Sequence, residues 1–320
     1  MRGFAIWLVV IGHVIQYNHC VDWMHHPVFE WIYSFHLPLF FYVSGYLAYK
    51  TSHLELLSEF GGYVWKKFRS LIIPLVVWSL IVNRYFFAHK LESFGILDLW
   101  NVFAERGLWF LKYLFFISII YGIIHLISLS INKRKSIWKD ISIYAVTFFA
   151  LVGIAQVWQP AIFMSTALFF SFFIMGVFIS KYEILEKVIC EPWAYAIAFV
   201  FFCLLSTHWT TDGAFKDDLL KVIIAPCSFV VMEKVSRMIE GSKAGHYLSI
   251  LGKYSLSIYC SHWALLCIDS SISWDLTYFN DFWVLIIAAV LAVVVMACCV
   301  VFVKITEDNK WLGLFLFGKK

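Results

Sequence analysis

The chain reads as a series of apolar runs separated by short polar breaks. Runs of about 17 to 22 mostly apolar residues recur at roughly 3 to 19, 33 to 50, 68 to 88, 108 to 130, 140 to 157, 162 to 180, 192 to 207, 217 to 236, 248 to 269 and 281 to 303. Each is long enough to cross a hydrocarbon core of ~30 Å as a helix. The strict apolar/polar alternation of membrane β-strands is absent, so the pattern predicts an all-α, polytopic membrane helix bundle of about ten transmembrane helices. The first run, Gly3 to about Tyr17, has the length of a signal-peptide core. It lacks a small-residue cleavage site and carries Gly12-His13 at its centre, which predicts a retained helix. No repeat, low-complexity stretch or soluble domain interrupts the series, and the expected layout is one transmembrane domain over 1–304 and a short cytoplasmic tail over 305–320.

Composition agrees with a membrane protein: 62% of the 320 residues are hydrophobic and 14% charged, against ~25% charged in a soluble domain. With Arg2 inside, all but six of the 25 Lys and Arg fall in loops on that same side. The six are Arg84, Lys90, Arg106, Lys112, Lys216 and Lys221. The positive-inside rule then predicts an even number of spans and both termini cytoplasmic. The net charge of +4 is accounted for by these loops and implies no nucleic-acid partner. The opposite loops, 20 to 32, 208 to 218 and 270 to 281, are rich in Trp, Asp, Ser and Thr, as expected of an interfacial belt. The same residue types stack on pyranose faces and hydrogen-bond sugar hydroxyls. Eight cysteines carry no CxxC pair, and Cys203, Cys227, Cys260, Cys267, Cys298 and Cys299 sit within apolar runs, so neither a disulfide framework nor a metal cluster is implied.

Against this background a few polar residues need a reason. Arg2 and His13 are eleven positions apart, which at ~100° per residue returns to within about 20° of the same face and at ~1.5 Å rise separates them by about 16 Å. A cation at the membrane surface and an imidazole deep in the same helix describe a path for an anionic reagent whose reactive end enters the bilayer. Histidine is suited to general-base work because its unperturbed pKa lies near ~6.5. His36, entering from the outer side just before Pro38, reaches toward the level of His13, and Ser44-Gly45 allows close helix approach. Lys66, Lys67 and Arg69 stand just ahead of the third run, where an arginine can grip phosphate with paired hydrogen bonds. Gly107-Leu-Trp109-Phe-Leu111 opens the fourth run, and Ser255-Leu-Ser-Ile-Tyr-Cys-Ser-His262 lies in the ninth.

Taken in order, Arg2-Gly-Phe-Ala-Ile-Trp-Leu-Val-Val-Ile-Gly-His13, Phe35-His36-Leu-Pro38 through Ser44-Gly45, the basic stretch ending in Arg69 and Pro74, Leu108-Trp109-Phe110-Leu111 and the Ser255 to His262 string resemble membrane acyltransferase family 3. Within it they are similar to the sugar O-acetylases of the fucose 4-O-acetylase type. The resemblance covers nearly the whole chain, with one departure: family members carry an acidic residue a few positions before the arginine, and here only Met1 precedes Arg2. It implies acetyl-CoA as a cytoplasmic acyl donor and a carbohydrate or lipid-linked glycan as acceptor, without a metal. His13, His36 and Arg2 are the expected catalytic residues, Arg69, Lys67 and Lys66 the donor-binding ones, and Ser44 and Trp109 the substrate contacts. Membrane lipids of a bacterial inner or plasma membrane would surround it, and homo-oligomerisation is left open. A competing reading makes the protein a transporter or flippase with His13 and Arg2 as a proton or anion path. The sequence offers no inverted repeat of broken spans in its support.

Overall fold

The computed structural model describes residues 1–18, 22–52, 54–80, 108–132, 136–158, 160–213, 215–269 and 275–319. Residues 81–88 of the expected 68 to 88 span, the cations Arg84, Lys90, Arg106, Lys133, Arg134 and Lys135, and the start of the 270 to 281 loop, 270–274, lie outside them. The described residues form helices and no strand. In chain order these are α1 (Arg2–Asn18), α2 (Pro27–Tyr33), α3 (His36–Thr51), α4 (Phe60–Lys67), α5 (Ile73–Val76), α6 (Trp109–Ile131), α7 (Ile137–Val157), α8 (Pro160–Lys181), α9 (Glu183–Cys190), α10 (Pro192–Ser206), α11 (Phe215–Met238), α12 (Lys243–Lys253), α13 (Ser255–Asp269), α14 (Asp281–Glu307) and α15 (Lys310–Phe317). Among the described residues, four helices are long and apolar enough to cross a membrane on their own: α6, α7, α14 and the stretch Ile162–Lys181 of α8. Counting α9 and α10, which meet at 69°, as one bent span makes five. The helices α1, α3, α10 and α13 hold 15 to 17 residues, short of the ~20 that a perpendicular span needs.

The chain divides into two compact units, 1–40 with 187–313 and 41–186 with 314–320. In the first, α1 packs against α12, α13 and α14. It is apolar on nearly every face because it is enclosed: Ala5, Ile6, Val10, Val14 and Ile15 have no exposed surface. The approach is close at its start, where a methyl added to Gly3 would stand 2.0 Å from the Leu248 carbonyl oxygen. Backbones can touch in this way only where side chains are small. Helix α14 buries one stripe, Val284, Ala288, Ala292, Met296, Cys299 and Val303, and leaves Val290, Val293, Val294, Val301 and Phe302 exposed. An outer face this apolar suits lipid and not water. Expected spans break where the backbone changes course. The run from 33 corresponds to α3, with α2 formed ahead of it from the expected loop, and the run from 248 divides at Tyr254 into α12 and α13. His26 caps α2 by accepting the Val28 N–H at 3.2 Å, with Pro27 in the first turn, where its missing N–H is not needed.

In the second unit α8 packs against α6 and α7. Gly45 of α3 and Gly176 of α8 permit a crossing so close that added methyls would lie 1.8 Å from Phe173 O and 1.9 Å from Tyr42 O. A buried polar knot ties α6, α7 and α8 together. Asp140 accepts from Ser128 Oγ at 2.6 Å, Asn132 Nδ2 at 2.9 Å and Tyr182 OH at 2.7 Å, and it pairs with Lys181 Nζ. Four donors on one carboxylate offset the cost of burying it. Between α4 and α5 the chain makes one π-helical turn, Phe68–Ile72, directly before Pro74. The wider turn accommodates the proline ring and its absent N–H. The segment after Glu307, expected as a simple tail, forms α15. The Leu316 carbonyl of α15 accepts the Trp78 indole N–H at 2.8 Å. Gly318 follows with φ 63°, a left-handed conformation that glycine adopts without strain, and seats its backbone against Arg69 and Ser70.

Candidate active site

The first unit places three histidines in its interior. His13, half-buried on α1, faces His262 of α13 with ring centroids 5.1 Å apart. His13 Nδ1 is 2.8 Å from Gln16 Oε1, one helical turn along the same face. His262 Nδ1 is 2.9 Å from the Ile258 carbonyl and His36 Nδ1 is 2.8 Å from the Ile32 carbonyl. A carbonyl oxygen only accepts, so each of these Nδ1 atoms carries the proton. In the neutral ring Nε2 is therefore left as an acceptor. His262 Nε2 is buried with no partner among the described residues. An unmet buried polar atom costs about 1–3 kcal/mol and calls for a ligand group to meet it. His36, 99% buried, lies against the Tyr33 ring at 4.4 Å. With its Nδ1–H committed it accepts a hydroxyl proton but cannot donate to an oxyanion while neutral. The rim of this site is aromatic: Tyr17 and Trp263 meet edge to face, the indole N–H donating to the phenol oxygen.

Arg2 occupies the exposed start of α1, beside Gly252 of α12. His262, whose apposition to His13 the sequence reading did not assign, was within reach as the last residue of the Ser255 to His262 string. Gln16 likewise carried a signal, three residues beyond His13, which is hydrogen-bonding distance on a helix.

The second unit holds the basic residues. Lys66, Lys67 and Arg69 line one open cavity of about 550 Å³ together with Ser52, Tyr63 and Lys319. The three cations expected to act together thus do stand together, and Lys319, brought in by α15, adds a fourth. The Lys67 ammonium lies over the Tyr63 ring at 5.5 Å, and the Tyr63 phenol donates to the Ser118 carbonyl at 2.9 Å. Arg69 Nε is buried and has no hydrogen-bond partner among the described residues. A guanidinium N–H in that condition is a ready donor for an anion. Ser44 and Trp109, expected substrate contacts, are also in this unit, and neither lines the cation cavity. Trp109 stacks on Phe169 at 5.6 Å and on the edge of Tyr113 at 5.7 Å, as a packing residue does. Among the described residues no three His, Cys, Asp or Glu side chains are placed to hold a metal ion.

One unit thus holds two apposed imidazoles with open nitrogens, and the other a cation-lined pocket with a guanidinium N–H that has no partner among the described residues. The chain belongs to the acyltransferase domain family, whose model matches residues 1–304. It is similar to the nodulation protein NolL of Sinorhizobium fredii, 34% identical over 105 residues, or 31% of this chain and 28% of that one. The nodulation protein NolL of Mesorhizobium japonicum is 30% identical over 145 residues, 43% of this chain and 36% of its own. The chain thus spans about a third of the length of these curated relatives. No solved structure matches it.

Proposed function

We propose that this chain is an integral membrane O-acyltransferase that moves an acetyl group from cytoplasmic acetyl-CoA to a hydroxyl of a cell-surface carbohydrate in a bacterial inner membrane. The observation that carries the reading is the His13–His262 pair, two neighbouring imidazoles whose Nδ1 protons are held elsewhere and whose Nε2 atoms accept. In the reaction the acceptor O–H gives its proton to His13 Nε2 as its oxygen attacks the thioester carbonyl. The C–S bond then breaks, and the leaving thiolate takes the proton back from the imidazolium. His262 and His36 supply further acceptors that orient the sugar hydroxyls. The donor's phosphates and diphosphate bridge are assigned to Arg69, Lys67 and Lys66, with Lys319 beside them; Arg2 adds positive charge at the start of α1.

Both termini are placed in the cytoplasm and ten spans are retained in this reading. The first unit supports the direction: the Met1 amino group interacts with Glu233 near the Lys234–Arg237 end of α11, whereas Glu30, Asp212, Asp217 and Asp281 gather at the opposite end of α1. The test is release of free thiol from acetyl-CoA by the purified protein given a carbohydrate acceptor. Wild type should turn over, and His13→Ala should lose at least ~10²-fold in kcat while still inserting in the membrane. A transporter would release no thiol, and a His13→Ala variant with wild-type turnover would remove His13 from the mechanism.

A further inference from the structure

At the end of the first unit opposite Arg2 lies a cavity of about 410 Å³, walled by Glu30 and Trp31 of α2, Ser206 at the end of α10, Thr207 and Trp209 of the following turn, and Leu285 of α14. Its size is that of a small-ligand pocket, ~300–1,000 Å³. Two of its wall residues carry buried polar atoms without partners among the described residues. Ser206 is 1% exposed and its Oγ is unbonded, although other helical hydroxyls here, such as Thr166 and Ser261, bond back to the carbonyl four residues earlier. Trp209 is 7% exposed and its Nε1–H is unbonded, whereas Trp7, Trp78 and Trp263 all donate from theirs. A buried indole N–H ordinarily finds an acceptor.

The wall is also held rigidly. Thr211 donates from its backbone N–H to Glu30 Oε1 at 3.0 Å and from its hydroxyl to the Met24 carbonyl at 3.0 Å, and Thr210 N–H reaches Asp217 at 3.3 Å. The Lys221 ammonium sits 4.2 Å from the Trp209 ring centre and fixes its plane. We propose that this cavity is a carbohydrate-docking subsite, separate from the histidine cluster, for a neighbouring sugar unit of the acceptor; the proposal rests on the carbohydrate-acceptor reading above. Two indoles offer apolar faces, Ser206 and Trp209 offer unmet polar atoms, and Glu30 offers a carboxylate. Among the described residues no Lys or Arg lines the cavity, and Lys221 lies against the Trp209 ring without being one of the lining residues, which disfavours a phosphate-bearing lipid headgroup. The histidines are on the other side of α2: Phe29 and Tyr33, at positions 29 and 33, stack at 3.9 Å, and Tyr33 rests on His36. None of the three histidines is among the residues lining the cavity, so its occupant contributes binding and not chemistry.

The experiment presents a printed array of neutral and anionic oligosaccharides to the detergent-purified full chain as wild type, Trp209→Phe, Ser206→Ala and His13→Ala, each first checked for an unchanged thermal unfolding midpoint. Wild type and His13→Ala should bind the same neutral glycans. Trp209→Phe, which keeps the ring and loses the donor, and Ser206→Ala should each bind them roughly three- to tenfold more weakly, the worth of one hydrogen bond. Unchanged binding in both cavity variants overturns the subsite. So does binding confined to anionic glycans, or displacement of neutral glycans by phosphatidylethanolamine in nanodiscs. A wild type that releases thiol from acetyl-CoA yet binds no glycan overturns the subsite and leaves acyl transfer standing. A wild type that binds the neutral glycans yet releases no thiol from acetyl-CoA overturns the proposed function instead.

Discussion

Replacing Gln16 by leucine tests whether the His13 tautomer is set by its neighbour. Gln16 Oε1 accepts from His13 Nδ1 at 2.8 Å in a partly buried setting. Such a bond contributes about 0.5–1.5 kcal/mol net, so its loss shifts the ratio of the two ring tautomers by roughly two- to thirteenfold against the one with a free Nε2. The unanchored ring also loses its fixed direction, and a displacement of ~1 Å at a reacting group costs up to ~10²-fold. The expected fall in kcat is therefore between about 10- and 100-fold. Because the proposed function assigns the donor's phosphates to the other unit, KM for acetyl-CoA should not move. Gln16→Glu keeps an acceptor oxygen at the same reach and should retain most activity. The assay is steady-state thiol release at varied acetyl-CoA with a saturating acceptor, with His13→Ala as the floor. A Gln16→Leu enzyme with wild-type kcat, or one whose loss is all in KM, would refute the reasoning.

Three further outcomes are expected. Arg69→Ala should raise KM for acetyl-CoA at least tenfold with little change in kcat, and the gap should narrow in high salt as the remaining cations are screened; an unchanged KM would leave the cluster a topology signal. Asp140→Leu should lower stability by about 3–5 kcal/mol because Lys181 is left buried and unpaired, and adding Lys181→Met should recover much of it, read from thermal unfolding in detergent; additive losses in the double variant would show that the two do not act as a pair. Reporter fusions after Lys320 and beside Asp22 should be active on opposite sides of the membrane, the former in the cytoplasm; an outward C-terminus would remove the proposed entry of donor beside Arg2.

The helical class was legible because a membrane core forces every backbone polar group into local hydrogen bonds, so twenty apolar residues in a row have few alternatives. Where helices break was less so. Hydropathy averages over a whole run, and the interruption at Tyr254 does not change that average; α2 lies in a stretch too polar to be counted in a run at all. The cap at His26 with Pro27 beside it was the local signal that α2 starts on its own, ahead of the run assigned to it. The cation trio could be read directly, since Lys66, Lys67 and Arg69 are neighbours in sequence. Lys319 could not, because it joins them only through the docking of α15 by Trp78 and the left-handed turn at Gly318.

By itself, then, the sequence determined what depends on near neighbours and on solvent: apolar helices, the adjacency of Lys66, Lys67 and Arg69, and the ordered motifs of an acyltransferase. Tertiary structure decided what depends on residues far apart in the chain. His262 meets His13 only because α13 packs on α1, whose contact with α12 is close enough that Gly3 admits no side chain. That Arg69, Ser206 and Trp209 carry polar atoms without a partner among the described residues became visible only once the packing around them was known. Hydrogen-bond satisfaction is a property of the packed molecule, and a one-dimensional pattern does not contain it.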